Sequence, residues 1–139
     1  GLACHSMAGG HIAVLVEAGL SQGRVAVKKI SAVADCGRLI NPAIARQQIE
    51  GGLIFGLAMA LGGAPNYAGS LPANLRLGDY GLPRLADVGQ VAVEFIGNSG
   101  PQSGLGEVGV PAVAPALASA LATITGRRYR RLPITGESA

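Results

Sequence analysis

The 139-residue chain contains no tryptophan, and its five aromatic side chains are three tyrosines and two phenylalanines. A nucleic-acid-binding surface needs a broad basic face with interleaved aromatics, which this composition cannot build. The net charge of +3 is mild, and much of it sits in one cluster, "GRRYRRLP". That cluster reads as a basic edge that pairs with acidic groups on a partner surface. Charge of either sign is scarce: 14% of residues are charged, against about a quarter in an ordinary soluble domain. So few charges cannot solvate a whole surface, so the chain reads as a domain cut from something larger, or a subunit with a large interface. There are two cysteines, Cys4 and Cys36, enough for one disulfide, and no C-x-x-C or Cys/His pair has zinc spacing. His5 and His11 do not form H-E-x-x-H. These four residues are read as structural, and no protein-ligated metal is expected. The longest apolar run, "LIFGLAMAL", falls well short of the roughly 20 residues that cross a bilayer, so no transmembrane segment is expected. The opening "GLACHS" carries no signal-peptide pattern.

Hydrophobic residues are abundant, at 49%, which argues against disorder. A chain of this length can form one domain and bury about two-thirds of its unfolded surface. Glycine is abundant too, at 22 residues, which predicts many turns and close backbone approaches.

"HIAVLVEAGL" and "RVAVKKISAVADCG", separated by Ser-Gln-Gly, read as an antiparallel hairpin over about residues 11 to 35. Val25, Val27 and Lys29 alternate with Ala26, Lys28 and Ile30, which predicts one wet face. "LINPAIARQQIEGGLIFGLAMALGG" reads as a helix: Asn41 is a good N-cap, Pro42 suits the first turn, and Gly62 and Gly63 supply the stop. Gly51, Gly52 and Gly56 each cost such a helix about 1 kcal/mol relative to alanine. They imply that another backbone or a flat ligand lies against it. Residues 64 to 90 read as loop, with a short strand near "LRLGDY". "QVAVEFI" reads as a strand, "GNSGPQSGLGEVG" as a long glycine loop, and "PAVAPALASALATITG" as a second helix, apolar nearly all round and so buried. Pro115 falls near its first turn, where the missing N–H is tolerated. "RRYRRLPI" reads as a final short strand. The order β-β-α-loop-β-loop-α-β does not alternate as βαβ, so the fold class is α+β.

The glycine loop runs into the second helix as "GLGEVGVPAVAPALASALATITG", whose first six residues fit G-x-G-x-x-G. A dinucleotide fingerprint needs the glycines to follow a strand immediately, with an acid about twenty residues on. Here seven residues separate Ile96 from Gly104 and Glu107 would repel a pyrophosphate; Tyr129 and arginines stand where the acid belongs, although arginine there could suit a 2′-phosphate and keeps a nucleotide-binding module as an alternative. Two other readings remain. Glu107 caps backbone N–H groups ahead of the helix, where a carboxylate is favoured, or the loop presents Glu107 as a general base.

Two blocks raise the third reading. "ADCGRLINPAIARQQIEGGLIFGLAMAL" resembles the D-x-G-x-x-x-N-P…Q-x-E-G-G…G-L block of the molybdenum hydroxylases, the xanthine oxidase and aldehyde oxidase family. "GLGEVGVPAVAPALASAL" resembles the G-x-G-E-x-G-x-P-x-x-A-P-A-x-A-x-A block of the same proteins, and "TGRRYRRLPI" their usual ending. The likeness covers nearly all of residues 1–139 and is nearest to the isoquinoline oxidoreductase β-subunit branch. It implies a C-terminal portion of the large molybdopterin-binding subunit, a single domain or fragment of something several times longer. It further implies that Glu107 is the active-site base beside molybdenum, that Gln48 hydrogen-bonds the pterin, and that Gly106 shapes the turn aiming Glu107. The cofactor implied is molybdopterin with molybdenum, in its cytosine dinucleotide form. The partners implied are the rest of the large subunit and a small iron–sulfur subunit that carries electrons away. The substrate implied is a small molecule, an N-heterocycle or aldehyde, oxidised with oxygen from water. The compartment stays open between cytoplasm and periplasm. The chain departs from the family in having Val108 where proline is frequent, and Gly78 where isoquinoline-type relatives often carry histidine. "SMAGGH" also replaces a segment that usually carries an aromatic.

Overall fold

A computed structural model describes residues 1–97 and 99–134; Asn98, inside the glycine-rich loop, and residues 135–139 lie outside the description. Six strands and two main helices occur in the order β1 (Leu2–Met7), β2 (Gly10–Ser21), β3 (Arg24–Asp35), α1 (Pro42–Leu61), β4 (Tyr67–Ala68), β5 (Leu71–Pro72), β6 (Gln90–Phe95) and α2 (Val113–Thr125). The main sheet has the order β1-β2-β3-β6. Its first three strands are antiparallel, and β6 pairs with β3 in parallel. The class is α+β, as expected.

The expected hairpin is β2–β3, and its wet-face alternation breaks at one point. Glu17 pairs with Lys29, but Ala18 pairs with Val27, so Lys28 is an extra residue on β3. Such a bulge reverses the phase of the strand. Val27 and Ile30, three residues apart, therefore both point inward and are buried. The inward face carries Val14, Val16, Ile30, Ala32, Ala34 and Val93, all buried. It packs against Ile49, Leu53 and Leu57 of α1 and Val113, Leu117 and Leu121 of α2, all in one core. The outward face leaves Leu2, Leu15 and Val33 exposed.

Helix α1 begins as its sequence dictates. The Asn41 side-chain oxygen accepts the N–H groups of Ala43 and Ile44, both at 3.1 Å, with Pro42 at the first position. It buries Ala45, Ile49, Gly52, Leu53, Gly56, Leu57 and Ala60, a spacing of three and four that forms one stripe. Helix α2 buries a similar stripe, but Pro115, Ser119, Thr123 and Ile124 are exposed, so it is not buried all round.

Three expectations need correction. The opening residues form β1, because they pair with β2 from Leu2↔Leu15 to Met7↔Gly10. "LRLGDY" is no strand: Leu77–Tyr80 is a short 3₁₀ helix, wound because the Asp79 carboxylate accepts the N–H groups of Leu75 and Arg76. "RRYRRLPI" is no strand either. It leaves α2 with Tyr129 hydrogen-bonded to Thr125 at 3.5 Å, and Ile134 N–H donates to Ala60 O at the end of α1. Side chains and a helix end hold it, not a sheet edge.

The helix glycines divide by role. A Cβ on Gly56 would collide with the backbone oxygen of Val110, and one on Gly52 would touch Gly109 and Val110 at 3.7–3.8 Å; one on Gly51 would meet nothing within 4 Å. Backbone packing explains Gly56, whereas at Gly52 a Cβ would make only ordinary contact. We predict that Gly56→Ala costs about 1–3 kcal/mol by overpacking. Gly51→Ala should be neutral, or gain up to about 1 kcal/mol in helix propensity. Denaturant melts of both variants check this, and equal effects would refute it.

Candidate active site

The chain between β6 and α2 is fixed by main-chain bonds. Arg38 N–H donates to Gly100 O at 3.2 Å, and Ser103 N–H donates to Cys36 O at 3.1 Å. Gly37 makes this approach possible: it lies at φ +69°, and any Cβ there would strike the Pro101 oxygen. Further on, the Gln48 side-chain amide donates to Gly106 O at 3.3 Å, reaching from α1 to the loop. Glu107 O then accepts from Val110 N–H at 3.0 Å and closes a turn, after which Val110 seats against Gly52 and Gly56. Gln48 thus meets Gly106, 58 positions on in sequence, with Glu107 next to it.

These three line one cleft of about 540 Å³. The other lining residues are Met7, Gly51, Gly52, Phe55, Met59, Val110 and Pro111. A second cleft of about 280 Å³ lies around Cys36, Arg38, Asn41 and Ser103, and Gln48 lines both. The Glu107 side chain is exposed, and among the described residues it accepts no hydrogen bond. It is therefore not a cap for α2, which begins six residues later at Val113. Nor do the glycines form a strand-to-helix turn, since β6 ends at Phe95 and Gly104 follows only after a long excursion.

The remaining titratable residues are not gathered at the cleft. Both cysteines are free, Cys4 exposed and Cys36 buried. Burial pushes the Cys36 thiol up; the Ser103 hydroxyl opposes this in part, and the Asp35 charge adds to it. His11 Nδ1 and the Ser6 hydroxyl are hydrogen-bonded at 2.8 Å, on adjacent strands of the sheet. Among the described residues no group of three His, Cys, Asp or Glu side chains could hold a metal ion, and no helix is long and apolar enough to cross a membrane. The cleft suits a cofactor: Gln48 offers an exposed amide, and a Cβ at Gly51 or Gly106 would project into empty space, so a flat group can lie close to both backbones. Reading the sequence found the polar residues of the cleft and missed its apolar wall. Phe55 and Met59 stand four apart on a recognised helix and were legible. Met7 was not, because its strand was unrecognised.

Comparison with known proteins identifies the family. Residues 3–89 match the model of the molybdopterin cofactor-binding domain, a stretch that includes Gln48 but not the Glu107 loop. The chain is 30% identical over 136 residues to isoquinoline 1-oxidoreductase subunit beta of Brevundimonas diminuta, covering 96% of this chain and 17% of that one. It is 32% identical over 114 residues to a protein of Gluconacetobacter polyoxogenes named membrane-bound aldehyde dehydrogenase [pyrroloquinoline-quinone], covering 82% of this chain and 15% of that one. Its fold superposes on quinoline 2-oxidoreductase from Pseudomonas putida 86 with a TM-score of 0.78 and 26% identity, over 92% of this chain and 17% of that one. The chain belongs to the molybdopterin-binding domain family of the molybdenum hydroxylases, and it spans about a sixth of the length of these relatives.

The two thiols give a check on this geometry. A thiol-alkylating reagent at neutral pH should label Cys4 and leave Cys36 unmodified until the protein is unfolded, as mass spectrometry of the digested protein would show. A folded-state thiol pKa above the unfolded one contributes stability below the unfolded pKa, and that contribution is lost as pH rises through the folded value. Stability should therefore fall on the alkaline side, and less so in Cys36→Ala.

Proposed function

We propose that this chain supplies the proton-accepting and cofactor-contacting wall of a molybdenum-dependent hydroxylase acting on an N-heterocycle or an aldehyde. The observation that carries the proposal is the meeting of Gln48, Gly106 and Glu107 on one cleft, with the Glu107 carboxylate exposed and free of other hydrogen bonds among the described residues. When bound, the cofactor supplies a two-electron acceptor and a metal that makes water more acidic. Glu107 would serve there as general base, accepting a proton at a carboxylate oxygen. Gln48 holds the pterin through its side-chain amide and at the same time fixes Gly106, so one residue sets the distance between cofactor and base. Gly106 and Gly51 leave room for a flat group.

In this reading the cofactor is the cytosine dinucleotide form, for which the second cleft beside Gln48 offers adjoining space. Electrons leave through iron–sulfur clusters on a small partner subunit, and the remainder of the cofactor's contacts come from the rest of the large subunit. The rival reading is a non-catalytic domain that keeps the fold as an interaction module. The placing of Glu107 beside Gln48 and Gly106 on one cleft favours the catalytic reading.

The test is elemental analysis of the native assembly, together with Glu107→Gln. About one molybdenum per assembly is expected, with a pterin released on oxidation. Glu107→Gln should lower kcat by about 10²–10⁴-fold, the range for a lost general base, with molybdenum unchanged. Unchanged turnover at full occupancy would remove the catalytic role. A quinone in place of molybdenum would replace the cofactor.

A further inference from the structure

The connection between β1 and β2 has an unfavourable backbone. Met7 pairs with Gly10, so Ala8 and Gly9 alone make the turn. Both have positive φ, +50° and +79°. That is the pattern of a type I′ hairpin, whose first place usually goes to asparagine, aspartate or glycine. Ala8 has neither the freedom of glycine nor a short polar side chain to ease a left-handed conformation. Gln22, in the β2–β3 turn, also has positive φ, at +52°, but a Cβ on its neighbour Gly23 would meet nothing within 4 Å. The β1–β2 turn differs from that one because it is packed.

It packs on the loop that carries Glu107. A Cβ on Gly104 would lie 3.5 Å from the Ala8 methyl, and one on Gly9 would lie 3.6 Å from the Ser103 Cβ. A Cβ on Gly10 would come within 3.0 Å of the Ser103 hydroxyl and 3.4 Å of Gly104 O. Three consecutive turn residues therefore abut two consecutive loop residues. Ser103 is also anchored through its N–H bond to Cys36 O, just after β3. Helix α1 supports the loop at Gly106 and from Gly109 on, and the turn supports it at Ser103 and Gly104. Gly104 stands three residues before Glu107, and Met7, which precedes Ala8, lines the same cleft as Glu107. The turn thus joins one wall of the cleft to the root of the loop.

We propose that Ala8, with Gly9 and Gly10, is a positioning element for Glu107: the turn holds Ser103 and Gly104 at the height from which the loop presents the carboxylate. This rests on the reading of Glu107 as the base. Glycine at position 8 would relieve the backbone and lose the methyl that meets Gly104. A left-handed alanine keeps the contact at the expense of the turn, and local strain of this kind persists where the surrounding structure holds a functional geometry.

The test uses the molybdenum-loaded holoenzyme, with benzaldehyde as the probe of turnover. Ala8→Gly keeps the turn and removes the methyl, and Gly10→Ala adds a Cβ to which Ser103 must yield. Each should lower kcat about three- to tenfold with KM little changed, since a small displacement of a reacting group is costly. Ala8→Asn, which keeps a Cβ and accepts positive φ, should restore kcat. On a Glu107→Gln background the effect of Ala8→Gly on the residual turnover should vanish, because a turn that acts through Glu107 has no base left to position. Hydrogen exchange of the assembled protein reads the same contact without turnover. In Ala8→Gly the amides of residues 104–106 should exchange about tenfold faster, at unchanged molybdenum content. An unchanged kcat in both Ala8→Gly and Gly10→Ala, or a loss that persists in full on the Glu107→Gln background, would overturn the assignment. So would unchanged exchange of the loop amides. If Glu107→Gln alone leaves turnover intact, it is the reading of the base that fails, and the exchange measurement still reports whether the turn holds the loop.

Discussion

The site depends on two backbones touching. Helix α1 has no side chain at Gly52 and Gly56, and the segment Gly109–Val110 lies directly on the helix there. Ordinary helix packing keeps axes 8–10 Å apart because side chains intervene. Here the loop comes closer than any Cβ at Gly56 would allow. That contact sets the height of the loop above the helix, and so the position of everything on it. Gly106 comes within reach of the Gln48 amide, Glu107 is held over the cleft, and Val108, Ala112 and Val113 drop into the core. Two glycines inside a helix cost about 2 kcal/mol of helix propensity in total. The buried loop residues offset that cost, since filling the core with Val108 and Val113 removes apolar surface from water.

The shortage of charge has a visible counterpart. Leu71, Leu75, Leu77 and Leu85 are 72–90% exposed in the segment between α1 and β6, and Leu2, Leu15 and Val33 lie open on the outer sheet face. Solvated loops do not usually carry so many leucines. Such a surface is shaped for contact with other polypeptide rather than with water, as the composition implied. The four arginines after α2 are exposed as well, pinned on one side by Tyr129 and on the other by Ile134 at the end of α1.

Most of what periodicity and capping control was legible in the sequence. The β2–β3 hairpin, the bounds of α1 from Asn41 to Gly62, the strand at residues 90–95 and the start of α2 near Pro111 all follow from local rules. What escaped was set by distant partners. "LACHSM" is a strand only because β2 offers its edge, and nothing within those six residues says so. The phase reversal at Lys28 is a property of the pairing with β2, not of β3 alone. The last segment was read as a strand from its residues, but the groups that bind it, Thr125 and Ala60, belong to helices. Gln48, Gly106 and Glu107 were legible for a different reason. They sit in two long blocks whose likeness to a family extends over most of the chain, and that likeness told of a proximity that spacing could not. It gave the three glycines of α1 one reason, a flat cofactor lying close, where the structure packs the loop backbone against Gly56. Gly56 serves the loop, a Cβ at Gly52 would make only ordinary contact with it, and a Cβ at Gly51 would meet nothing within 4 Å.

How Glu107 is held bears on how it can work. Its main chain is fixed on one side by the Gln48 bond to Gly106 O and on the other by its own carbonyl's bond to Val110 and the seat of Val110 on α1. None of these contacts uses its side chain. The path of the loop is therefore independent of what residue 107 carries, and a change from carboxylate to amide alters proton affinity while leaving position alone. A side chain held this way needs little further positioning when a ligand arrives, because the helix and loop have already placed its backbone on folding. Gln48 is different. It holds the loop and faces the cleft with the same amide, so its removal disturbs geometry and recognition together. The contacts that position Glu107 leave its side chain out, whereas at Gln48 one amide both holds the loop and faces the cleft.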